Sequence, residues 1–197
     1  MPIRPVLVLD IAGVLATNFS PDFWNSLTSN YRLSFTELIE FKKEIREELW
    51  TGTISEEVFW CRLKKKFPLI EINDAKVTLL QSINPLLAVT EIPYWAEIAD
   101  IHVISNHRLE WVAHVLNPIQ PYLSSITISA EVGYCKPQPE IYELVRCQIA
   151  SRGNVLYVDD KEKNLHVPRT IGWGTLLADE NGEWIKEVAQ ILQGSSS

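Results

Sequence analysis

The feature that most constrains this chain is the stretch 6–15, where four apolar residues, Val6–Leu9, run directly into Asp10 and Gly13 follows. A short unbroken apolar run is typical of a strand buried on both faces, as in a parallel sheet. The carboxylate then lies at the carboxyl end of the strand, where open α/β sheets place their ligands. Gly13 allows a sharp turn with the backbone close to that site. Taken alone, the stretch fits equally well a core strand that ends in a turn, with Asp10 as an exposed cap.

The rest of the chain alternates between short apolar runs and helical periodicity. Further strands are predicted at 101–105, 126–129, 155–158 and 173–177. Helices are predicted at 21–27, 34–50, 55–66, 74–83, 93–99, 108–116, 139–150 and 182–192, with one more after Asp160 that Pro168 interrupts. Strands that alternate with helices indicate a parallel sheet with right-handed crossovers, hence a three-layer, Rossmann-like α/β fold.

The first two strands are separated by a long helical block with apolar faces of its own. We therefore expect a core formed by 1–16 and 89–197, with 17–88 as a small helical insert packed on it. A chain of 197 residues is long enough for one such core with a modest insertion. The tail 194–197 is rich in serine and is predicted to be disordered.

Composition excludes several functional classes. The net charge of -7 and the pI near 5.2 argue against non-specific nucleic-acid binding. No run of eighteen apolar residues is present, so no membrane span is expected, and Met1–Pro5 lacks a signal-peptide pattern. Three cysteines without CxxC spacing favour reduced thiols in a cytoplasmic protein. The sequence leaves the oligomeric state open.

Polar residues follow three of the predicted strands at the point where each strand ends. These are Asp10, Ser105–Asn106 and Asp159–Asp160. Because the carboxyl ends of parallel strands share one edge of a sheet, the three groups are expected to converge. Lys136 lies in a loop stiffened by two prolines and is expected to reach the same edge.

This set of side chains suits magnesium-assisted phosphoryl transfer. Carboxylate oxygens fit a hard cation that keeps several waters, and a lysine neutralises phosphate charge. The ion can hold an anionic substrate against an anionic nucleophile. A carboxylate can also form an aspartyl-phosphate, which splits hydrolysis into two steps. We therefore expect Mg²⁺ as cofactor and a small phosphorylated molecule as substrate.

The motifs in this order resemble the haloacid dehalogenase-like (HAD) superfamily, in its subclass with a small helical cap inserted after the first strand. Each motif alone is weak, but four in order at strand ends are specific. The matching segments are 8–15, 103–106, 133–142 and 157–160 with Asn164, and 50–60 is similar to the cap of that subclass.

The resemblance implies a role for each matching residue on the phosphate side of the site. Asp10 corresponds to the nucleophile, and Ser105 with the backbone of Asn106 corresponds to the phosphate-binding group. Lys136 corresponds to the lysine that bridges nucleophile and phosphate.

On the metal side, Asp10, the carbonyl of Ala12 and Asp160 correspond to Mg²⁺ ligands. Asp159 would support the site or serve as an alternative ligand, and Asn164 corresponds to a polar residue that supports the metal.

Ala12 departs from the family's phosphatases, which carry a second aspartate there as general acid and base. Loss of such a group is typically worth 10²–10⁴-fold in rate, or roughly 3–5 kcal/mol of barrier. One interpretation is a phosphatase with low or leaving-group-restricted activity. A second is a phosphonate C–P hydrolase, which needs a cap lysine, with Lys42, Lys43 and Lys64–Lys66 as candidates. A third is a binding or regulatory protein, and a fourth is an introduced alanine.

His107 is a further candidate because it follows Ser105–Asn106 directly. Histidine suits proton transfer near neutral pH, so it is a possible substitute proton donor. The alternative interpretation is a surface group at the start of a helix, and the sequence favours this second interpretation.

Overall fold

The computed structural model describes residues 4–150 and 153–194. Five strands form one parallel sheet in the order β3-β2-β1-β4-β5. Their bounds are β1 Val6–Leu9, β2 Asp100–Ser105, β3 Leu123–Ile128, β4 Val155–Asp159 and β5 Gly174–Leu177. The predicted α/β fold with a parallel sheet is confirmed. The tail 194–197 was predicted to be disordered; Gly194 instead ends a helix, and 195–197 lie outside the described residues.

The first four helices that follow β1 in the chain are α1 (Phe19–Tyr31), α2 (Phe35–Trp50), α3 (Glu56–Lys66) and α4 (Ile72–Gln81). The remaining helices are α5 (Ala88–Ile98), α6 (Leu109–Leu116), α7 (Ser129–Val132), α8 (Pro139–Gln148), α9 (Glu162–Thr170) and α10 (Trp184–Gly194). A short 3₁₀ helix, Gln120–Tyr122, precedes β3.

The central strand β1 is buried on both faces. Its successive side chains point to opposite sides of the sheet, so they enter two different apolar clusters. Leu7 and Leu9 belong to one apolar cluster, whereas Val6 and Val8 belong to a second one. Helices α5, α6 and α10 contribute to the first cluster, and α8 and α9 contribute to the second. Helices on both faces of a parallel sheet give the predicted three layers.

The apolar side chains of helices α1–α4 join the larger cluster. Phe23, Phe41 and Leu63 belong to the same cluster as Leu9 of the sheet. The helical block therefore shares its buried surface with the layer around the sheet. The division into 1–16 with 89–197 and an insert of 17–88 stays a prediction.

Several predicted ends of helices and strands are wrong by a few residues. Helix α5 begins at Ala88 and contains Pro93, and α9 continues through Pro168. In α5, Ala88, Ile92 and Trp95 are buried, and this packing offsets the hydrogen bond that Pro93 removes. Helix α1 extends beyond the predicted 21–27, while β3 begins three residues earlier than expected.

Candidate active site

The strand ends meet as the sequence predicts. Leu9 pairs with Val103 on one side and with Val158 on the other, and the backbone N–H of Asp10 donates to the Val158 carbonyl at 3.0 Å. The Asp10 residue is only 3% exposed. The interpretation of Asp10 as an exposed cap is therefore wrong.

Lys136 connects two of the strand ends. Its Nζ lies 2.8 Å from Oδ1 of Asp10 and 2.6 Å from Oδ2 of Asp159. The Ile104 carbonyl accepts a longer hydrogen bond of 3.4 Å from the same nitrogen. One buried cation thus faces two buried carboxylates, so the cluster carries a surplus negative charge that a metal cation can balance.

Asn106 fixes the backbone of Lys136. Its Oδ1 accepts from the Lys136 N–H at 2.7 Å, and its Nδ2 donates to the Lys136 carbonyl at 2.8 Å. The side chain of Asn106 is therefore committed to the lysine loop. Its backbone is left free of this contact, which is compatible with the phosphate-binding role that the family resemblance implies.

The two oxygens of Asp10 have different surroundings. Oδ1 accepts hydrogen bonds from the backbone N–H of Ile11 at 2.6 Å and from Ser105 Oγ at 2.8 Å, in addition to the Lys136 contact. Within the described residues, Oδ2 accepts no hydrogen bond from a protein group. The carboxylate is thus oriented through one oxygen, and the other is left for an ion or a substrate.

Asp159 is satisfied at both oxygens. Oδ1 accepts from the backbone N–H of Lys161 at 2.8 Å and from Asn164 Nδ2 at 2.9 Å. Oδ2 accepts from Lys136, from Asn164 at 3.0 Å and from the Tyr157 hydroxyl. A carboxylate with this many donors has little capacity left for a metal, which suits a supporting role.

Asp160 is the opposite case. Its Oδ1 is buried without a hydrogen-bond partner, although Lys161 Nζ lies 3.5 Å away. Its Oδ2 accepts from Asn18 Nδ2 at 3.0 Å. Gly13 lies against this carboxylate, because a Cβ at that position would be 2.5 Å from Oδ2.

One oxygen from each of Asp10, Asp159 and Asp160 lies within 4.8 Å of the others. The buried, unpartnered oxygen of Asp160 and the hard oxygen donors of this group fit Mg²⁺. Asp10 and Asp160 therefore have the chemistry and the spacing of a divalent-cation site, with the fully hydrogen-bonded Asp159 beside them.

The electrostatics of the cluster separate the two carboxylates that share Lys136. Burial raises the pKa of Asp10 to about 6, against the opposing charge of Lys136. Burial acts on Asp159 in the same sense, but the Lys136 charge and the hydrogen bonds outweigh it and lower the pKa. Burial would lower the pKa of Lys136, yet the charges of Asp10 and Asp159 raise it.

His107 is buried in an aromatic cluster. Its ring centroid lies 5.5 Å from that of Phe19, 5.6 Å from Trp50 and 6.2 Å from Trp111. Its interpretation as a surface group is therefore wrong. Burial, reinforced by the nearby charges of Lys136 and Lys161, lowers its pKa to about 4. Such an imidazole is neutral at pH 7, which makes it a poor proton donor.

Solved structures of other proteins identify the fold, although the sequence matches no protein-family model. A solved protein from Porphyromonas gingivalis, described as a predicted HAD-like family hydrolase, superposes with a TM-score of 0.79 at 18% identity, covering 98% of this chain and 99% of that one. This chain has the haloacid dehalogenase-like fold. The family resemblance of the sequence motifs is thus confirmed at the level of the fold.

A second solved protein with the HAD-like fold is a HAD family enzyme from Bacteroides thetaiotaomicron, in complex with magnesium and inorganic phosphate. It superposes with a TM-score of 0.79 at 18% identity, covering 92% of this chain and 97% of that chain. An aspartate-to-alanine mutant of that enzyme, also with magnesium and inorganic phosphate, gives a TM-score of 0.80 at 17% identity, with 94% and 98% of the chains covered.

A similar sequence is a D-ribitol-5-phosphate phosphatase from Bacteroides thetaiotaomicron. It is 28% identical over 76 residues, which is 38% of this chain and 37% of that protein. The match therefore spans little more than a third of the relative's length.

Two tyrosines and an asparagine also form hydrogen bonds in the site of this HAD-like fold, and the sequence motifs predicted no role for them. Tyr157 donates to Asp159, and Tyr142 donates to the Asn164 carbonyl at 2.9 Å. Tyr157 has a detectable signal, since residues two apart on a strand share a face. Asn18, which donates to Asp160, has no comparable signal because 142 positions separate the two residues.

The segment 17–88, predicted to be a helical insert, contacts the residues after β2 beside the site. Arg108 Nη1 donates to the Ile54 carbonyl at 2.9 Å. Glu56 Oε1 accepts from the indoles of Trp60 at 2.8 Å and Trp111 at 2.9 Å, so one carboxylate of α3 joins it to α6. These bonds fix the insert relative to the loop that follows β2.

Among the described residues, no helix is both long and apolar enough to cross a membrane. Cys61, Cys135 and Cys147 are free thiols, as the sequence predicts.

Proposed function

We propose that this chain is a Mg²⁺-dependent phosphatase-like hydrolase that acts on a small phosphorylated molecule through Asp10. The observation that carries this proposal is the asymmetry of the Asp10 carboxylate. Three donors hold Oδ1, while Oδ2 accepts no hydrogen bond from the described protein groups. An oriented carboxylate oxygen beside a cation site suits nucleophilic attack on phosphorus.

Lys136 and Ser105 would position the nucleophile. Both donate to Oδ1 of Asp10, so the attacking oxygen is Oδ2. The Lys136 charge also offsets the repulsion between Asp10 and an incoming phosphate. Ser105 and the backbone of Asn106 would then hold the phosphate oxygens at the strand edge.

Asp10, Asp160 and the carbonyl of Ala12 would hold the metal. Bound Mg²⁺ supplies positive charge that holds an anionic phosphate against an anionic nucleophile. Asp159 and Asn164 support the site without being needed as ligands, because the donors around Asp159 already occupy both of its oxygens.

Because position 12 is an alanine, only phosphates with certain leaving groups would be hydrolysed quickly. No proton can come from its methyl side chain, and the neutral His107 does not replace it. A leaving group that departs as a stable anion, such as an aryl or acyl phosphate, needs no proton. An alkoxide does need one, so alkyl phosphates would be poor substrates. A solved HAD family enzyme from Bacteroides thetaiotaomicron still holds magnesium and inorganic phosphate when one of its aspartates is replaced by alanine.

Two alternatives have weaker support. A phosphonate hydrolase needs a cap lysine at the site, but no hydrogen bond or ion pair of the described chain joins Lys42, Lys43 or Lys64–Lys66 to the strand-edge residues. A binding or regulatory protein would bind a phosphorylated ligand without turnover. The experiment below separates this alternative from an enzyme.

The test is hydrolysis of an aryl phosphate and an alkyl phosphate, with and without Mg²⁺, by the wild type, Asp10→Asn and Asp100→Asn. Asp100 is a matched control because it lies at the amino end of β2, away from the carboxyl ends that form the site. It pairs with Arg4 at 2.9 Å. We expect Mg²⁺-dependent aryl phosphate turnover that Asp10→Asn abolishes and Asp100→Asn preserves. Turnover that survives in Asp10→Asn would contradict the assigned nucleophile, and phosphate binding without turnover would support the binding protein.

A further inference from the structure

The two segments that connect helices α1–α4 with the sheet run side by side. Thr17 Oγ1 donates to the Ser82 carbonyl at 2.7 Å and accepts from the Asn84 N–H at 2.9 Å. The Thr17 N–H donates to the Asn84 carbonyl at 2.8 Å, and the Leu86 N–H donates to the Leu15 carbonyl at 2.9 Å. These bonds place the residue after Thr17 at a defined position.

That residue is Asn18, which directly precedes α1 and occupies the N-cap position. Asparagine is among the best N-cap residues because its side chain accepts from a backbone N–H of the first turn. In this helix the Asn18 side chain makes no such bond. It donates instead to Oδ2 of Asp160 at 3.0 Å. The helix thus forgoes a local stabilising bond in favour of a contact with a carboxylate 142 positions away.

The contact fixes one oxygen of Asp160 and leaves the other for an ion. The backbone of Gly13 lies directly against one side of the carboxylate, because a Cβ at position 13 would be only 2.5 Å from Oδ2. With Oδ2 held by the amide, Oδ1 is buried without a hydrogen-bond partner, and the Lys161 ammonium lies 3.5 Å from it. A buried carboxylate oxygen without a hydrogen bond is costly unless a ligand satisfies it.

We infer that Asn18 is a positioning residue that orients Asp160 for the metal and thereby links the insert's connecting segments to the metal site. This inference rests on the proposed function, which makes Asp160 a ligand. Removal of the hydrogen-bond partner of a metal ligand typically weakens metal affinity by about 10–100-fold. Loss of the Asn18 amide should therefore weaken Mg²⁺ binding by that factor.

The test is the Mg²⁺ dissociation constant, measured by calorimetry on the wild type, Asn18→Leu, Asn18→Ser and Asn84→Leu. Leucine keeps the size of asparagine without its donor. Serine is a good N-cap residue, so Asn18→Ser keeps α1 stable while its shorter side chain loses Asp160. Asn84 is an exposed asparagine of the other connecting segment that donates to the Gln81 carbonyl, so Asn84→Leu is the matched control.

We expect both Asn18 variants to bind Mg²⁺ about 10–100-fold more weakly, with Asn84→Leu unchanged and the metal-free Asn18→Ser as thermally stable as the wild type. If Asn18→Leu lowers the melting temperature, Asn18→Ser decides. Wild-type affinity in Asn18→Ser would overturn the inference and leave the proposed function intact. A wild type without Mg²⁺ binding would remove the metal from the proposed function and the inference with it.

Discussion

Asn106 and His107 are neighbours in the chain, yet they belong to two buried clusters of opposite character. The Asn106 side chain bonds both backbone groups of Lys136, whose ammonium lies between Asp10 and Asp159. The His107 ring packs instead among aromatic rings from the insert and from α6. We name these the lysine cluster and the aromatic cluster.

The difference shows two ways to hold a site in place. The lysine cluster is fixed by short, directional bonds between charged groups, so each atom has a defined position for chemistry. The aromatic cluster is held together by the packing of its rings, and it holds the insert against the strand edge. We expect the lysine cluster to be sensitive to loss of charge and the aromatic cluster to be sensitive to changes of volume and to protonation.

The largest effect should come from removal of the shared cation. Lys136→Met leaves Asp10 and Asp159 buried without their partner, which typically costs about 3–5 kcal/mol of unfolding free energy. Urea denaturation of the metal-free protein at pH 7 measures this loss. The control is the exposed Lys43→Met, for which a change within about 0.5 kcal/mol is expected. Equal stability of the two variants would show that the ion pairs do not hold the strand ends.

A smaller effect should follow from added volume where the insert meets the core. A Cβ on Gly52, whose φ is +71°, would lie 1.9 Å from the Ala130 carbonyl oxygen. Gly172 has a similar φ of +84° but nothing within 4 Å of an added Cβ. Both Gly→Ala variants carry the same backbone strain, so their difference isolates the clash.

We expect Gly52→Ala to lose about 1–3 kcal/mol more unfolding free energy than Gly172→Ala, the usual cost of overpacking. Urea denaturation of the two variants measures the difference. Equal losses would mean that the segment around Gly52 moves away from α7 without cost and that the contact between the two is not tightly packed.

An effect of similar size, seen only below pH 6.5, should be a pH dependence that originates in the aromatic cluster. Burial holds the pKa of His107 at about 4, below its ordinary 6.5. As the pH falls, the unfolded chain binds the proton first, so the stability contributed by neutral His107 is complete above pH 6.5 and is lost towards pH 4. At about pH 5 this loss amounts to about 2 kcal/mol.

The matched comparison is His107→Phe, which keeps an aromatic ring of similar size and cannot be protonated. Unfolding free energies of both proteins, measured from pH 7 down to about pH 5, should fall further for the wild type by that amount. Parallel pH profiles would show that His107 is hydrated rather than enclosed by the rings around it.

The sequence predicted the convergence of the carboxylates in the lysine cluster because they end buried strands. An apolar run followed by a carboxylate places Asp10 and Asp159–Asp160 at one edge of a parallel sheet, whatever packs around it. The resemblance implies Asp160 as the metal ligand, with Asp159 as a support or an alternative ligand, and this assignment stays a prediction. The donors around both oxygens of Asp159 favour it.

The aromatic cluster was beyond the sequence for a physical reason. His107 resembles a surface group at a helix start, and its burial depends on Phe19 and Trp50 of the insert. How the insert packs is set by tertiary contacts that no local pattern encodes. The same holds for Asn18, whose position as an N-cap predicts a local bond that the structure replaces with one to Asp160.

The most direct test of the central claim restores the missing proton donor. Ala12→Asp, compared with the uncharged Ala12→Asn, is assayed on an alkyl phosphate and an aryl phosphate with Mg²⁺. A competent nucleophile that lacks only a general acid predicts a gain of about 100-fold or more on the alkyl phosphate, a smaller gain on the aryl phosphate and none for Ala12→Asn. Absence of turnover on both phosphates, with or without the aspartate, would contradict the account.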